Sequence, residues 1–150
     1  MKIKVLLLVL LLSLTLVSCG NVHVEDTNGS DDYSLCYFKE TDLVTNTNST
    51  SVMSVNSSTN NGFTYSCKQL TGTNKIKTIE TNGDNVLFKV NISITEGNAC
   101  VGLVTENNIV HIFPVNQSSE FILYSAYSKV YFKILGESAN IKVSVELSKA

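Results

Sequence analysis

The chain has no tryptophan and only one proline, two histidines and eight glycines in 150 residues. Arginine is absent as well, since all eleven basic residues are lysine. Each scarcity removes a class of chemistry. Without arginine there is no guanidinium fork to grip a phosphate or carboxylate with two parallel bonds, so only the point charges of lysine can meet an anion. After residue 18, nine lysines face thirteen acidic residues, a net charge of about −4 with no basic patch, which argues against nucleic-acid binding. The glycines build no phosphate-cradling loop, and there is no G-x-S-x-G and no D-x-[DN]-x-[DN]-G string. No helical period follows the first eighteen residues, so the crossover helices of a parallel sheet are missing.

The remaining catalytic inventory is thin. His23 lies in a polar stretch where nothing would hold it, and His111 sits in "IVHIF". A Cys–His nucleophile pair could draw on His111 with Cys100 or Cys67. No local motif accompanies it, and a lone strand histidine is more often a surface or core residue. Asp31-Asp32 and Asn82-Gly83-Asp84-Asn85 offer hard oxygens, but the second group is explained as a turn. The expectation is a chain that is not an enzyme and has no metal and no cofactor.

What is present begins at the amino terminus. Lys2 and Lys4 precede "VLLLVLLLSLTLV", thirteen residues from Val5 to Val17 broken only by Ser13 and Thr15. As a helix this run spans roughly 20 Å, short of a hydrocarbon core of about 30 Å. An export signal therefore fits better than a permanent membrane span. The run closes on Leu16-Val17-Ser18-Cys19 and passes at once into polar sequence. These four residues resemble the lipobox of bacterial lipoproteins: an apolar residue, a tolerant one, a small one, then cysteine. The resemblance covers about the first twenty residues. It implies cleavage between Ser18 and Cys19, a diacylglyceryl thioether on Cys19 and usually acylation of the new amino terminus. Two or more acyl chains anchor stably where one binds only marginally. It also implies a protein held by palmitate-like chains at the extracytoplasmic face of the cell membrane. Residues 1–18 are then a signal peptide, 19–32 ("CGNVHVEDTNGSDD") a flexible tether, and 33–150 a single domain.

With Cys19 acylated, Cys36, Cys67 and Cys100 remain, an odd number, so at most one bridge forms. None belongs to a CxxC, and each lies in an apolar stretch. A Cys36–Cys67 disulfide and a set of buried thiols are the two readings.

Beyond the tether, short apolar runs alternate with turn residues. "YSLCYFKE" (33–40), "FTYSCKQL" (63–70), "NKIKTIET" (74–81), "NVLFKVNISIT" (85–95), "ACVGLVTE" (99–106), "IVHIFPV" (109–115), "EFILYSA" (120–126), "KVYFKILG" (129–136) and "NIKVSVELS" (140–148) read as strands. The polar segment 46–62, with Val52-Met53-Val55 at its centre, reads as a weak edge strand or a long loop. Asn82-Gly83 predicts a tight turn, Pro114 a strand end or edge, and 120–126 with 129–136 a hairpin. The fold expected is all-β: an antiparallel β-sandwich, jelly-roll-like, of eight or nine short strands preceded by the signal-peptide helix.

"LTGTNKIKTIETNGDNVLFKVNISITEG" and "EFILYSAYSKVYFKILGESANIKVSVEL" are similar to uncharacterised small β-sandwich lipoproteins of low-GC Gram-positive bacteria. The likeness covers about the last eighty residues and follows the spacing of Tyr131, Lys133, Leu135, Glu137 and Ala139 loosely. It implies a β-sandwich similar to carbohydrate-binding or prepeptidase C-terminal modules, with no activity attached. The three mature cysteines depart from it, as does Asn82-Gly83-Asp84 where that group has a Lys-Lys-Gly-Asp turn. For ligands, the candidates are Tyr124, Tyr127 and Tyr131, three aromatics in one predicted hairpin on which a sugar could stack. The alternative is that Tyr124 and Tyr131 pack as cross-strand partners. The role expected is a non-enzymatic envelope-surface module binding a protein or polysaccharide, the runner-up a carbohydrate-binding module held at the membrane.

Overall fold

The computed structural model describes residues 39–45 and 48–150. The expected signal peptide and tether, the Ser18/Cys19 boundary and most of the 33–40 strand, Cys36 included, lie outside these residues. The described chain is all-β apart from one helical turn, α1 (Asp42–Thr45). Its strands are β1 (Ser49–Thr59), β2 (Gly62–Glu80), β3 (Val86–Val104), β4 (Ile109–Phe113), β5 (Ser118–Leu123) and β6 (Lys129–Lys149). All pairings are antiparallel, in one six-stranded sheet of order β1-β2-β6-β3-β4, with β5 added to β3. Lys39 and Glu40, expected in a strand, instead accept the amide bonds of Asp42 and Leu43 as the chain enters α1.

Among the described residues there are six strands where eight or nine short ones were expected, because three predicted breaks are continuous. β2 and β3 are 19 residues long and β6 is 21. β2 runs through Thr71-Gly72, β3 through Gly97, and β6 through Gly136 to Ala139. Gln69, Gly72, Gly97 and Ser138 have φ of 51°, 90°, 70° and 51°. One left-handed residue inserts a bulge and a bend without reversing the chain. The bends lie side by side: Leu70 faces Ala139, Gly72 faces Gly136, and Glu96 and Asn98 face Asn140 and Glu137. Glycine is required at residue 97, where a Cβ would overlap the Ser138 carbonyl oxygen. Side chains replace the ladder bonds lost along this line. The Gln69 amide donates to Asn140 Oδ1 (2.9 Å), the Ser138 amide to Thr71 Oγ1 (3.2 Å), and Asn140 Nδ2 to Glu96.

The bend brings the two ends of each long strand back toward one another. A straight 21-residue strand would span about 70 Å. Yet both ends of β6 are tied to the five-residue connection from β2 to β3. Thr81 N–H donates to Ser128 O (3.3 Å), and Ala150 N–H to Asn85 O (3.1 Å). The sheet therefore faces itself. Phe63 from one end of β2 meets Phe132 from the opposite arm of β6, edge to face at 5.0 Å, and Phe88 and Phe113 lie 6.3 Å apart across the same interior. Alternation explains which residues line it: Phe63, Tyr65 and Cys67, then Phe88, Val90 and Ile92, then Ile141, Val143 and Val145, are buried with exposed residues between most of them.

The remaining connections follow. Asn82 (φ 51°) and Gly83 (φ 86°) form the expected turn, but it joins strands that both pair with β6 and not with each other. The expected 120–126/129–136 hairpin is likewise corrected. β5 pairs with β3 through Val86–Asn91, and β6 lies on the other side of that same stretch. The polar 46–62 segment contains β1, an edge strand exposed along its whole length. Pro114 follows the last residue of β4, where its missing N–H costs no ladder bond.

Phe132→Ala should destabilise the domain by about 3–5 kcal/mol, because the ring is fully buried between Phe63 and Phe113. Val55→Thr on exposed β1 should change stability by no more than about 0.5 kcal/mol. Urea unfolding followed by far-ultraviolet circular dichroism measures both.

Candidate functional site: a lysine-lined cleft beneath the helical turn

The arm of the sheet formed by the second half of β2, the first half of β6, the second half of β3 and β4 is covered on its outer face too. There Cys100, Val104 and Leu135 are buried around Leu43 of α1, with Tyr131, Ile109, Ile112 and Val44 packed at the margin. This explains why "ACVGLV" is apolar without alternation: both of its faces are covered. Leu43 is fully buried, which contributes about 1.5–3 kcal/mol to seating the turn. Gly102 makes the seat possible. A Cβ there would lie 2.9 Å from Ile112 Cδ1 and 3.2 Å from Leu43 Cδ1.

Two polar side chains fasten α1 from below. Lys133 is only 7% exposed. Its ammonium donates to the carbonyls of Leu43 (2.8 Å) and Val44 (3.4 Å) at the end of the turn. Thr73 Oγ1 donates to the Asp42 carbonyl (3.1 Å), and Thr73 N–H to the Asn48 carbonyl (3.0 Å).

Beside this anchor opens a cleft of about 440 Å³, lined by Val44, Thr73, Lys75, Thr105, Glu106, Tyr131 and Lys133. Lys75 and Lys133 stand directly opposite one another in β2 and β6. Burial, and then the Lys75 charge, hold the Lys133 ammonium below the usual lysine pKa. Among the described residues the ion pairs are Lys89–Glu120 and Lys149–Asp84, so neither cleft lysine has a carboxylate at ion-pair distance. The Tyr131 ring has Lys75 Nζ at 5.3 Å and Lys129 Nζ at 5.6 Å from its centre. Thr105 is occupied in its own turn, donating to Asn108 O and accepting from the Asn108 amide.

Of the sequence-predicted aromatics, Tyr131 alone lines the cleft. Tyr124 and Tyr127 are 62% and 41% exposed on the connection between β5 and β6, where Tyr127 N–H bonds Tyr124 O. Tyr124 and Tyr131 are not cross-strand partners, since Tyr131 faces Thr78 and Val104. Composition did not single out Lys75 and Lys133. The signal lay in "KIK" and "FKIL", lysines alternating with apolar residues, but which strand would stand beside which was not legible.

His111 and the cysteines are placed apart. His111 stacks on Phe121 at 4.0 Å and meets Phe113 edge-on at 4.8 Å, at the margin of the interior. Burial lowers its pKa. Cys100 belongs to the outer cluster under α1. Cys67 is a buried free thiol, raised in pKa by burial and hydrogen-bonded to Tyr65. Burial, and then that thiol, push the Tyr65 hydroxyl up to about 12, against the opposing bond from Asn74 Nδ2 (3.0 Å). These are features of packed groups and not of activated ones. Among the described residues no three His, Cys, Asp or Glu side chains gather as a metal site would need. No helix there is long and apolar enough to cross a membrane.

The chain matches no protein-family model and no curated protein.

Lys133→Met should cost about 1–3 kcal/mol by stranding the Leu43 and Val44 carbonyls, whereas Lys75→Met, which relieves repulsion, should leave stability within about 0.5 kcal/mol or raise it. Urea midpoints of the two variants check this. His111 predicts a pH effect. The unfolded chain gains its proton near pH 6.5, the folded chain only lower, so stability should fall as pH drops below about 6.5 through the lowered value. His111→Phe should flatten that part of the stability profile, measured by urea midpoints between pH 7.5 and about 5.

Proposed function

We propose that this chain is a bacterial envelope lipoprotein, held by acyl chains on Cys19 at the extracytoplasmic face of the cell membrane. On this reading residues 19–32 form a tether and the following domain is a non-enzymatic binding module. The observation that carries the anchor is the junction itself. A thirteen-residue apolar run behind two lysines ends on Leu16-Val17-Ser18-Cys19 and gives way to acidic, polar sequence. The bent sheet suits such a module. We read it as a β-sandwich made by folding one sheet, with loops and the α1 cleft left free for recognition. The non-enzymatic reading is supported by His111, whose ring is stacked on Phe121, and by Cys67, whose thiol is raised in pKa. The partner would be an envelope protein or polysaccharide. The alternative, a carbohydrate-binding module at the membrane, draws on Tyr131 in the cleft but not on a three-tyrosine platform.

The anchor is tested by intact mass of the protein extracted from membranes, beside Cys19→Ala. A mature amino terminus at Cys19 carrying acyl mass, and an unprocessed, lipid-free precursor for the variant, are expected. Normal processing of Cys19→Ala would sink the anchor.

A further inference from the structure

We propose that the cleft under α1 binds the carboxylate or phosphate group of a small ligand, held between the ammonium groups of Lys75 and Lys133. The inference rests on reading the domain as a binding module, and is independent of the lipid anchor.

It starts from an arrangement that folding alone does not favour. Directly opposed strand residues have Cβ atoms about 5 Å apart, and like charges there destabilise. Lysine is almost never fully buried unless paired. Here a lysine 7% exposed stands opposite a second lysine, with no carboxylate at ion-pair distance among the described residues. Securing α1 explains Lys133, which bonds two of its carbonyls. It does not explain Lys75, whose Nζ lies over the Tyr131 ring. An oxyanion between the two would turn their repulsion into attraction, in a partly desolvated place where charge-assisted bonds are strong. An ammonium offers three donors, so Lys133 keeps one beyond its two carbonyls.

The rest of the cleft bears on the rest of the ligand. Val44 and Tyr131 offer apolar and aromatic surface, while Glu106, in the β3–β4 turn, can accept from a hydroxyl. Glu106 would repel an anion, but it is one carboxylate against two ammonium groups, with Lys129 also beside Tyr131. A volume of about 440 Å³ fits a molecule of monosaccharide size. An acidic sugar or a sugar phosphate has this chemistry, and free phosphate has its anionic part.

The test is calorimetric titration of the full-length protein in a neutral detergent with glucuronate, glucose 6-phosphate, inorganic phosphate and glucose. At least one anionic probe should saturate while glucose does not, with affinity falling as salt rises. Which of the three saturates separates a sugar acid from a sugar phosphate or the free anion. Lys75→Gln, an exposed change that leaves α1 secured, should weaken binding tenfold or more. Lys68→Gln, on the other arm of β2, should not. Glucose binding as tightly as glucuronate, indifferent to Lys75→Gln, would overturn the anion site while leaving a binding module. No saturation by any probe, or a Lys75→Gln affinity within twofold of the wild type, would also overturn it.

Discussion

Everything in this domain depends on a line of bulges that crosses three neighbouring strands at one level. A six-stranded sheet that stayed flat could bury neither face against itself. By placing left-handed residues at Gln69, Gly72, Gly97 and Ser138, the chain bends β2, β6 and β3 together, and a single sheet supplies both walls of one core. Bulges leave backbone groups without ladder partners, and Asn140 and Thr71 answer for two of them from across the bend. Short connections that look like hairpins can then join strands that do not pair, since the fold has already brought their ends together.

The bend also creates an inequality between the two arms. On one, the outer face is open and alternates in the ordinary way: Lys142, Ser144 and Glu146 outward, Ile141, Val143 and Val145 inward. On the other, the outer face is apolar around Cys100 and Leu135 and needs a cover, which α1 supplies through Leu43. A four-residue helical turn has almost no stability of its own. Its persistence rests on packing and on side chains that reach its carbonyls, Lys133 and Thr73 above all. The cleft with Lys75 and Lys133 opens beside that cover.

A chain without arginine has a narrow repertoire for gripping anions, and the proposed anion site draws on the opposed lysines of β2 and β6. The aromatic platform suggested by Tyr124, Tyr127 and Tyr131 dissolves for a topological reason. A β5–β6 hairpin would have set them side by side, but β5 and β6 flank β3 on opposite sides. Tyr131 instead shares its surroundings with Lys75, 56 residues earlier in the chain, and with Lys129, two residues before it.

Local pattern was enough to show the β class, inward residues of β2, β3 and the end of β6, and the Asn82-Gly83 turn, and it left Pro114 as either a strand end or an edge. Each depends on period-two alternation or on the backbone limits of glycine, asparagine and proline, which act over a few residues. The sequence by itself could not say whether Thr71-Gly72, Glu96-Gly97 and Glu137-Ser138 reverse the chain or only bend it, because a left-handed residue serves a turn and a bulge equally well. That choice belongs to the tertiary structure, where the bulges lie beside one another and the closed core rewards bending all three strands at once. The same choice of neighbours set Lys75 opposite Lys133 and put α1 over Gly102. Residues so far apart in sequence meet only through strand order, and the alternation of side chains does not encode strand order.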